Sequence, residues 1–298
     1  MTGRIGFIGP GKMGRPMIGR LQAAGHDVVV WARRAEQRAE LYEAGVQTGD
    51  LRDVFTCPVV VSSLLDSDAI DGVFFDSGID LRRTDTALVI EHATIAPEDS
   101  VRVAGTLAEA GIRYLDAPVS GGPQGAADGS LVTMIGGSEE SLAAARSVLS
   151  AYCRRIVHVG ENGAGVALKL VNQLLVAVHS VAAAEAGALL RANSIDPSVA
   201  VEALMGGWAA SRRLELQLVD TINGDYAPDG ASVGSFLPIL SLVRDALTSA
   251  RVTSSLLTGV EQTWSTAAAR DPAAAFSALI TAYDTAYPDS TILRNHDE

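Results

Sequence analysis

The chain has 298 residues, which at roughly 150 residues per domain suggests two domains, and its 48% hydrophobic content supplies a large core and an oligomer interface. A formal net charge of −12 excludes a phosphate backbone or an anionic bilayer as partner, so neither nucleic acid nor a membrane is expected. Cys57 and Cys153 are too few and too far apart for a disulfide framework or a zinc site, and no metal is expected.

The first strand pattern, Arg4 to Ile8, leaves no room for a leader peptide, and no apolar run reaches the roughly eighteen residues of a membrane span. A cytoplasmic chain is expected. A helical stretch follows from Lys12 to Ala24, then Asp27 to Trp31, continuous and apolar as a strand buried on both faces. Pro58 to Ser63, Ala87 to Glu91 and Arg113 to Ala117 read as further strands with helices between them, which implies parallel pairing through crossovers. Leu131 to Ile135, a helix from Glu139 to Ala151 and a strand from Arg155 to Val159 complete this half. After the glycines at 160, 163 and 165 the pattern changes. Val166 to Asn193 is one Ala- and Leu-rich helix, far longer than the mean of about 11 residues, as a helix spanning two domains or a subunit interface would be. Helical patterns follow from Asp196-Pro197, from Ser211 to Ile222 and from Leu237 to Thr266, with a loop from Asn223 to Gly234. No strand is predicted after residue 160. The expected architecture is an α/β Rossmann-type domain over 1–163, then an all-α substrate and dimerisation domain over 164–298.

Gly9-Pro10-Gly11-Lys12-Met13-Gly14 is a G-x-G-x-x-G run between a strand and a helix, the context in which it binds a dinucleotide. Gly9 permits the turn, Gly11 lets a pyrophosphate approach, and Gly14 lets the helix pack closely with its amides toward the phosphates. An acid at the end of the second strand would select NAD through the ribose hydroxyls. The residues there are Trp31-Ala32-Arg33-Arg34, and paired guanidiniums suit a 2′-phosphate, so NADP is predicted over NAD.

Of the 23 Lys and Arg residues only Lys12 and Lys169 are lysines. A lysine in the apolar helix at the domain junction suggests work that arginine cannot do, because guanidinium keeps its proton whereas a desolvated ammonium can release it. Asn172 and Gln173, three and four residues on, each share a helix face with Lys169.

These segments resemble the 3-hydroxyisobutyrate dehydrogenase family, the short β-hydroxyacid dehydrogenases. Gly6 through Met17 is similar to the family's cofactor signature, Asp116-Ala117-Pro118-Val119-Ser120-Gly121-Gly122 to its substrate signature, and Gly163 through Gln173 to its catalytic signature. The resemblance covers nearly the whole chain. It implies that Lys169 is the general acid/base, that Gln173 or Asn172 orients the substrate oxygen, and that Ser120 with the Gly121 and Gly122 amides holds a substrate carboxylate. Glu91-His92-Ala93-Thr94 stands where the family usually has Asp-x-Ser-Thr; Thr94 matches as a cofactor contact, and Ala93 replaces the serine. His92 is either a satisfied packing residue or a contact to the nicotinamide end or the substrate. Arg244-Asp245 resembles the family's Lys-Asp pair and makes Arg244 a candidate for the carboxylate.

The expected function is hydride transfer between NADP and a small carboxylate-bearing β-hydroxy acid or semialdehyde, in a homodimer or homotetramer. Trp208 to Arg213 and Ser235 to Leu240 are expected to set the substrate walls. An imine reductase of similar fold and a non-catalytic NADP sensor are the rivals, and the presence of Lys169 argues against both.

Overall fold

The computed structural model describes residues 3–227 and 230–286. The chain divides into two compact units, Met1–Leu170 and Val171–Glu298. The division falls inside a helix, beyond the glycines at which the composition changes, because the first turns of that helix pack on the sheet of the first unit.

The first unit runs β1 (Arg4–Ile8), α1 (Gly14–Ala23), β2 (Asp27–Trp31), α2 (Ala35–Glu43), α3 (Leu51–Val54), β3 (Val59–Ser62), α4 (Ser67–Phe74), β4 (Leu88–Glu91), α5 (Pro97–Glu109) and β5 (Arg113–Asp116). It continues through β6 (Val119–Ser120), α6 (Gly122–Asp128), β7 (Leu131–Gly136), α7 (Glu139–Leu149), β8 (Cys153–Gly160) and the start of α8 (Ala164–Ala192). The sheet order is β2-β1-β3-β4-β5-β7-β6, with β8 beside β7. The strands from β2 to β5 are all parallel, as the crossover pattern requires. Uniform parallel pairing does not extend to the far edge, where β7 runs antiparallel to both β5 and β6. Only the short α6 separates β6 from β7, too little chain for a full crossover. From β1 the chain steps outward to β2 and then returns past β1 to β3, so the strand order reverses between β1 and β3. In a doubly wound sheet that reversal is where a dinucleotide enters.

Alternation along the strands feeds two cores. Phe7, Val28, Val30, Val61, Leu88 and Ile90 face α1 and α7 on one side. Ile8, Val29, Val60, Val89 and Tyr114 face α4 and α5 on the other, and Val166 of α8 joins them.

The second unit holds the rest of α8, then α9 (Pro197–Met205), α10 (Arg212–Asn223), α11 (Val233–Ser249) and α12 (Leu257–Arg270), with a 3₁₀ segment at Phe276–Ala286. Among the described residues no strand follows Gly160. The continuous helix expected from Leu237 to Thr266 is two helices. Arg251 turns left-handed at φ 56°, and the Ser254 hydroxyl accepts the Leu257 amide to restart the chain as α12. The expected loop from Asn223 also ends sooner, because Ser232 and Ser235 form a reciprocal cap that starts α11 at Val233. Pro228 and Asp229 of that loop lie outside the described residues.

By length and composition α8 is apolar enough to cross a membrane, although no such segment is expected from the sequence. A strict apolar run misses it because Lys169, Asn172, Gln173 and His179 interrupt it. Within the second unit it packs on protein: Arg213 Nε donates 3.1 Å to Ser180 Oγ, and Gln217 Nε2 donates 3.0 Å to the Ser180 carbonyl.

Candidate active site

The glycine loop after β1 is shaped by two different demands. Gly9 sits at φ +85°, and a Cβ there would collide with the Ser63 carbonyl; a Cβ on Gly14 would collide with the Gly9 carbonyl and stand 2.9 Å from Phe7. These two glycines serve the fold itself. A Cβ on Gly11 would meet nothing within 4 Å, so the protein's own packing does not require a glycine there. Its absent side chain instead keeps room for a group brought close to the backbone. No side chain caps α1, whose acidic-free first turn follows directly. A dinucleotide pyrophosphate fits this loop on both counts. Gln37 Nε2 donates 2.6 Å to the Pro10 carbonyl and Arg15 pairs with Glu40 at 2.5 Å, both tying the loop to α2. Lys12 is exposed and Met13 half-buried on the loop.

Arg33 and Arg34 are exposed just past the end of β2, with Arg34 capping α2. Arg38, absent from the sequence-derived site, holds this corner by donating to the Ala32 and Arg33 carbonyls. The spacing of four from Arg34 on a helix was the signal for it. Thr94, half-buried, follows β4 at the same edge of the sheet.

On the far side of the sheet, Ser120 ends β6 and is half-buried, while Gly121 and Gly122 are exposed. Gly121 at φ +134° lies against Leu131, whose side chain would stand 2.9 Å from any Cβ. No side chain caps α6, so the Ser120 hydroxyl is followed directly by glycine amides that no side chain satisfies, chemistry suited to a carboxylate.

Lys169 joins this group. Its Nζ donates 2.9 Å to the Val119 carbonyl, one residue before Ser120. The side chain is 7% exposed, and desolvation lowers its pKa from the ordinary lysine value to about 8. Val119 can accept from the amine in either protonation state, which leaves the nitrogen free to gain or lose a proton. What places the lysine is Asp116. Its buried side chain accepts from Gly163 N at 2.9 Å and Val166 N at 3.0 Å, which satisfies amides at the first turn of α8. Asn162 Nδ2 adds a donation to the Tyr114 carbonyl at 3.1 Å. A Cβ on Gly165 would stand 2.7 Å from the Asp116 carbonyl, so α8 meets the sheet as closely as backbone allows. Asp116 carries no role in the sequence reading beyond its signature; an ionisable residue ending a buried strand was the available signal.

In the second unit, Asn172 Nδ2 donates 2.9 Å to Gln173 Oε1 on α8. Arg244 of α11 is engaged within its own unit: it donates 2.8 Å to Ser241 Oγ and pairs with Glu261 at 3.2 Å. Trp208 is fully exposed between α9 and α10.

Residues 4–160 match a family model described as the NAD binding domain of 6-phosphogluconate dehydrogenase, and residues 163–283 one described as "NAD-binding of NADP-dependent 3-hydroxyisobutyrate dehydrogenase". A 3-hydroxyisobutyrate dehydrogenase of Pseudomonas aeruginosa is 38% identical over 212 residues, covering 69% of this chain and 71% of that protein. The chain belongs to the 3-hydroxyisobutyrate dehydrogenase family. It is accordingly an NAD(P)-dependent dehydrogenase of the β-hydroxyacid type. An NAD-dependent L-serine dehydrogenase of the same organism is also 38% identical, over 213 residues, covering 69% of this chain and 72% of that one. A solved Mycobacterium tuberculosis 3-hydroxyisobutyrate dehydrogenase with L-serine is 28% identical at a TM-score of 0.85, covering 95% of this chain and 99% of that one.

In this dehydrogenase the family's Asp-x-Ser-Thr position holds His92, and the structure accounts for it. His92 is buried, with Nδ1 2.6 Å from the Ala117 carbonyl and Nε2 3.0 Å from Tyr152 Oη. A carbonyl only accepts, so Nδ1 carries the proton and Nε2 accepts from the tyrosine. Burial lowers its pKa to about 4, which keeps the ring neutral. Both nitrogens are used inside the fold, so of the two roles open to His92 it fills the packing one. Tyr152, its partner, carried no sequence signal.

Proposed function

We propose that this dehydrogenase prefers NADP and interconverts a small β-hydroxy acid and its semialdehyde, with Lys169 as general acid/base. One observation supports this above the others: a buried lysine, paired with no acid among the described residues, bonded to the residue next to the Ser120 cradle. Nicotinamide, when bound, supplies or accepts the hydride. Lys169 takes the hydroxyl proton during oxidation and returns one to the oxygen during reduction. Ser120 Oγ and the Gly121 and Gly122 amides hold the carboxylate and so fix which carbon faces the cofactor. Asn172 donates to Gln173 Oε1, which orients the Gln173 amide and leaves its Nε2 as donor to the reacting oxygen. Arg33 and Arg34 take the 2′-phosphate.

The homodimer or homotetramer belongs to the same reading, through Leu168, Val171 and Leu175, exposed at helical spacing on α8.

The test is NADPH oxidation beside NADH against small semialdehydes and cyclic imines, with Lys169→Ala as control. Turnover of a semialdehyde that prefers NADPH and is lost in the variant is expected. Turnover of imines alone, or full activity in Lys169→Ala, would overturn the reading.

A further inference from the structure

The last residues of β3, β4 and β5 lie on one rung of the sheet, where Ser62 pairs with Glu91 and Glu91 with Asp116. Neighbours on a rung point to the same face, and Tyr114 shares that face with Asp116. α5 packs there too and brings Ser100 beside the Tyr114 hydroxyl. Asp116 accepts two backbone amides at the start of α8, one on each oxygen.

Glu91 is faced by a different set of groups. It is 1% exposed, and its Oε1 accepts from the Ala93 amide at 2.8 Å. The Ser62 hydroxyl and the amides of Leu64 and His92 also face the carboxyl. Oε2 and Ser62 Oγ are both buried without a hydrogen-bond partner, as are Ser100 Oγ and Tyr114 Oη. The groups facing Glu91 from its neighbours are Asp116 and Tyr114 on β5 and Ser62 on β3, with Arg102 of α5 reaching only as far as Tyr114. Among the described residues no cation is bonded to it. A charge on Glu91 would therefore be buried with no cation bonded to it. A proton on Oε2 removes that charge and lets Oε2 donate to Ser62 Oγ, its neighbour on the rung.

We propose that Glu91 is a positioning residue for the dinucleotide: a protonated carboxyl that shares its proton with Ser62 and clamps the loops following β3 and β4. Those loops flank the point where the strand order reverses, at the carboxyl ends where a dinucleotide enters. The β3 loop is in direct contact with the glycine loop, since the Ser63 carbonyl occupies the space a Gly9 side chain would need. The β4 loop carries Thr94 two residues past His92. Burial raises the Glu91 pKa above the ordinary carboxylate value, against the pull of the hydrogen bonds around it. The proposal rests on dinucleotide binding by this family and not on the role of Lys169.

The full-length protein, free of nucleotide, tests it by infrared spectroscopy and by fluorescence titration with NADPH. The wild type is expected to show a protonated-carboxyl band at neutral pH that Glu91→Gln lacks. Glu91→Gln, neutral and still a donor, should keep the NADPH dissociation constant within about twofold, whereas Glu91→Ala should raise it roughly tenfold. Ser62→Ala, which removes the hydroxyl and leaves Glu91 in place, should raise it several-fold and covers the case in which Glu91→Ala does not fold. No band difference, or a Glu91→Gln protein as weak for NADPH as Ser62→Ala or weaker, would overturn the proposal. Semialdehyde turnover plays no part in either readout, so failure here is distinguishable from failure of the lysine mechanism.

Discussion

Lys169 donates its hydrogen bond to Val119, a residue 50 positions earlier whose neighbour Ser120 begins the proposed carboxylate cradle. The bond holds the amine to a carbonyl, and among the described residues no acid is bonded to it. Desolvation is therefore unopposed, and the pKa falls to about 8.

That position gives the pH dependence a sign. Oxidation needs the neutral amine, so its kcat/KM should rise through pH about 8, whereas reduction needs the ammonium and should fall above it. Lys169→Ala should lower kcat by roughly 10²- to 10⁴-fold. Between the folded value and the ordinary one the unfolded chain holds a proton that the folded chain does not. Stability should thus increase from pH about 8 to pH about 10.5 by up to ~3 kcal/mol, and Lys169→Met should abolish the increase. Urea unfolding at the two pH values and steady-state profiles in both directions measure these effects.

Gly11 and Gly14 should separate ligand binding from folding. Gly14→Ala places a methyl against the Gly9 carbonyl and Phe7 and should cost ~1–3 kcal/mol of stability. Gly11→Ala meets open space, so its melting temperature should stay within about 2 °C of wild type. Its nucleotide dissociation constant should nonetheless rise roughly tenfold or more. Unchanged NADPH affinity in Gly11→Ala would mean that the pyrophosphate does not approach this loop.

His92 should behave as a structural residue. His92→Phe leaves the Tyr152 hydroxyl without its partner and the Ala117 carbonyl with the Thr133 hydroxyl alone, a loss of ~1–3 kcal/mol. Because the folded-state pKa of about 4 lies below the ordinary 6.5, wild-type stability should decline as pH falls from 6.5 through about 4. The variant should lack that component. A direct substrate role would instead show as a raised substrate KM with unchanged stability in denaturant titrations.

For Arg33 and Arg34, replacement of Arg33 by Asp should weaken NADPH roughly tenfold or more relative to NADH, because charge-assisted bonds to a phosphate are each worth ~1.5–3 kcal/mol. Paired titrations of the two nucleotides check it, and an unchanged ratio would assign the 2′-phosphate elsewhere.

Much of this was legible along the chain. β1 and β2 fall on the residues read as strands, because fully buried parallel strands leave continuous apolar runs. The glycine run lies in the strand-to-helix turn that gives it meaning, and α8 is the single long helix its composition implies. β6 escaped notice because a two-residue strand has no period to read. The break between α11 and α12 escaped too, since residues 250–256 hold no Gly or Pro to mark a turn and the left-handed position falls to Arg251. Chemistry was less legible than pattern. His92 looked available until Ala117 and Tyr152 took both its nitrogens, and Glu91 passed as the end of a strand until its rung placed it beside Asp116.

The sequence by itself determined most of the longer elements, the dinucleotide loop and the family, because those depend on local backbone preference and on residues close together in the chain. Only the tertiary structure decided the chemical state of the site. Asp116 holds the start of α8, which carries Lys169 to Val119, and burial then sets the pKa of the amine. Burial and proton affinity depend on which distant segments exclude water from a side chain, and no local pattern encodes that distance.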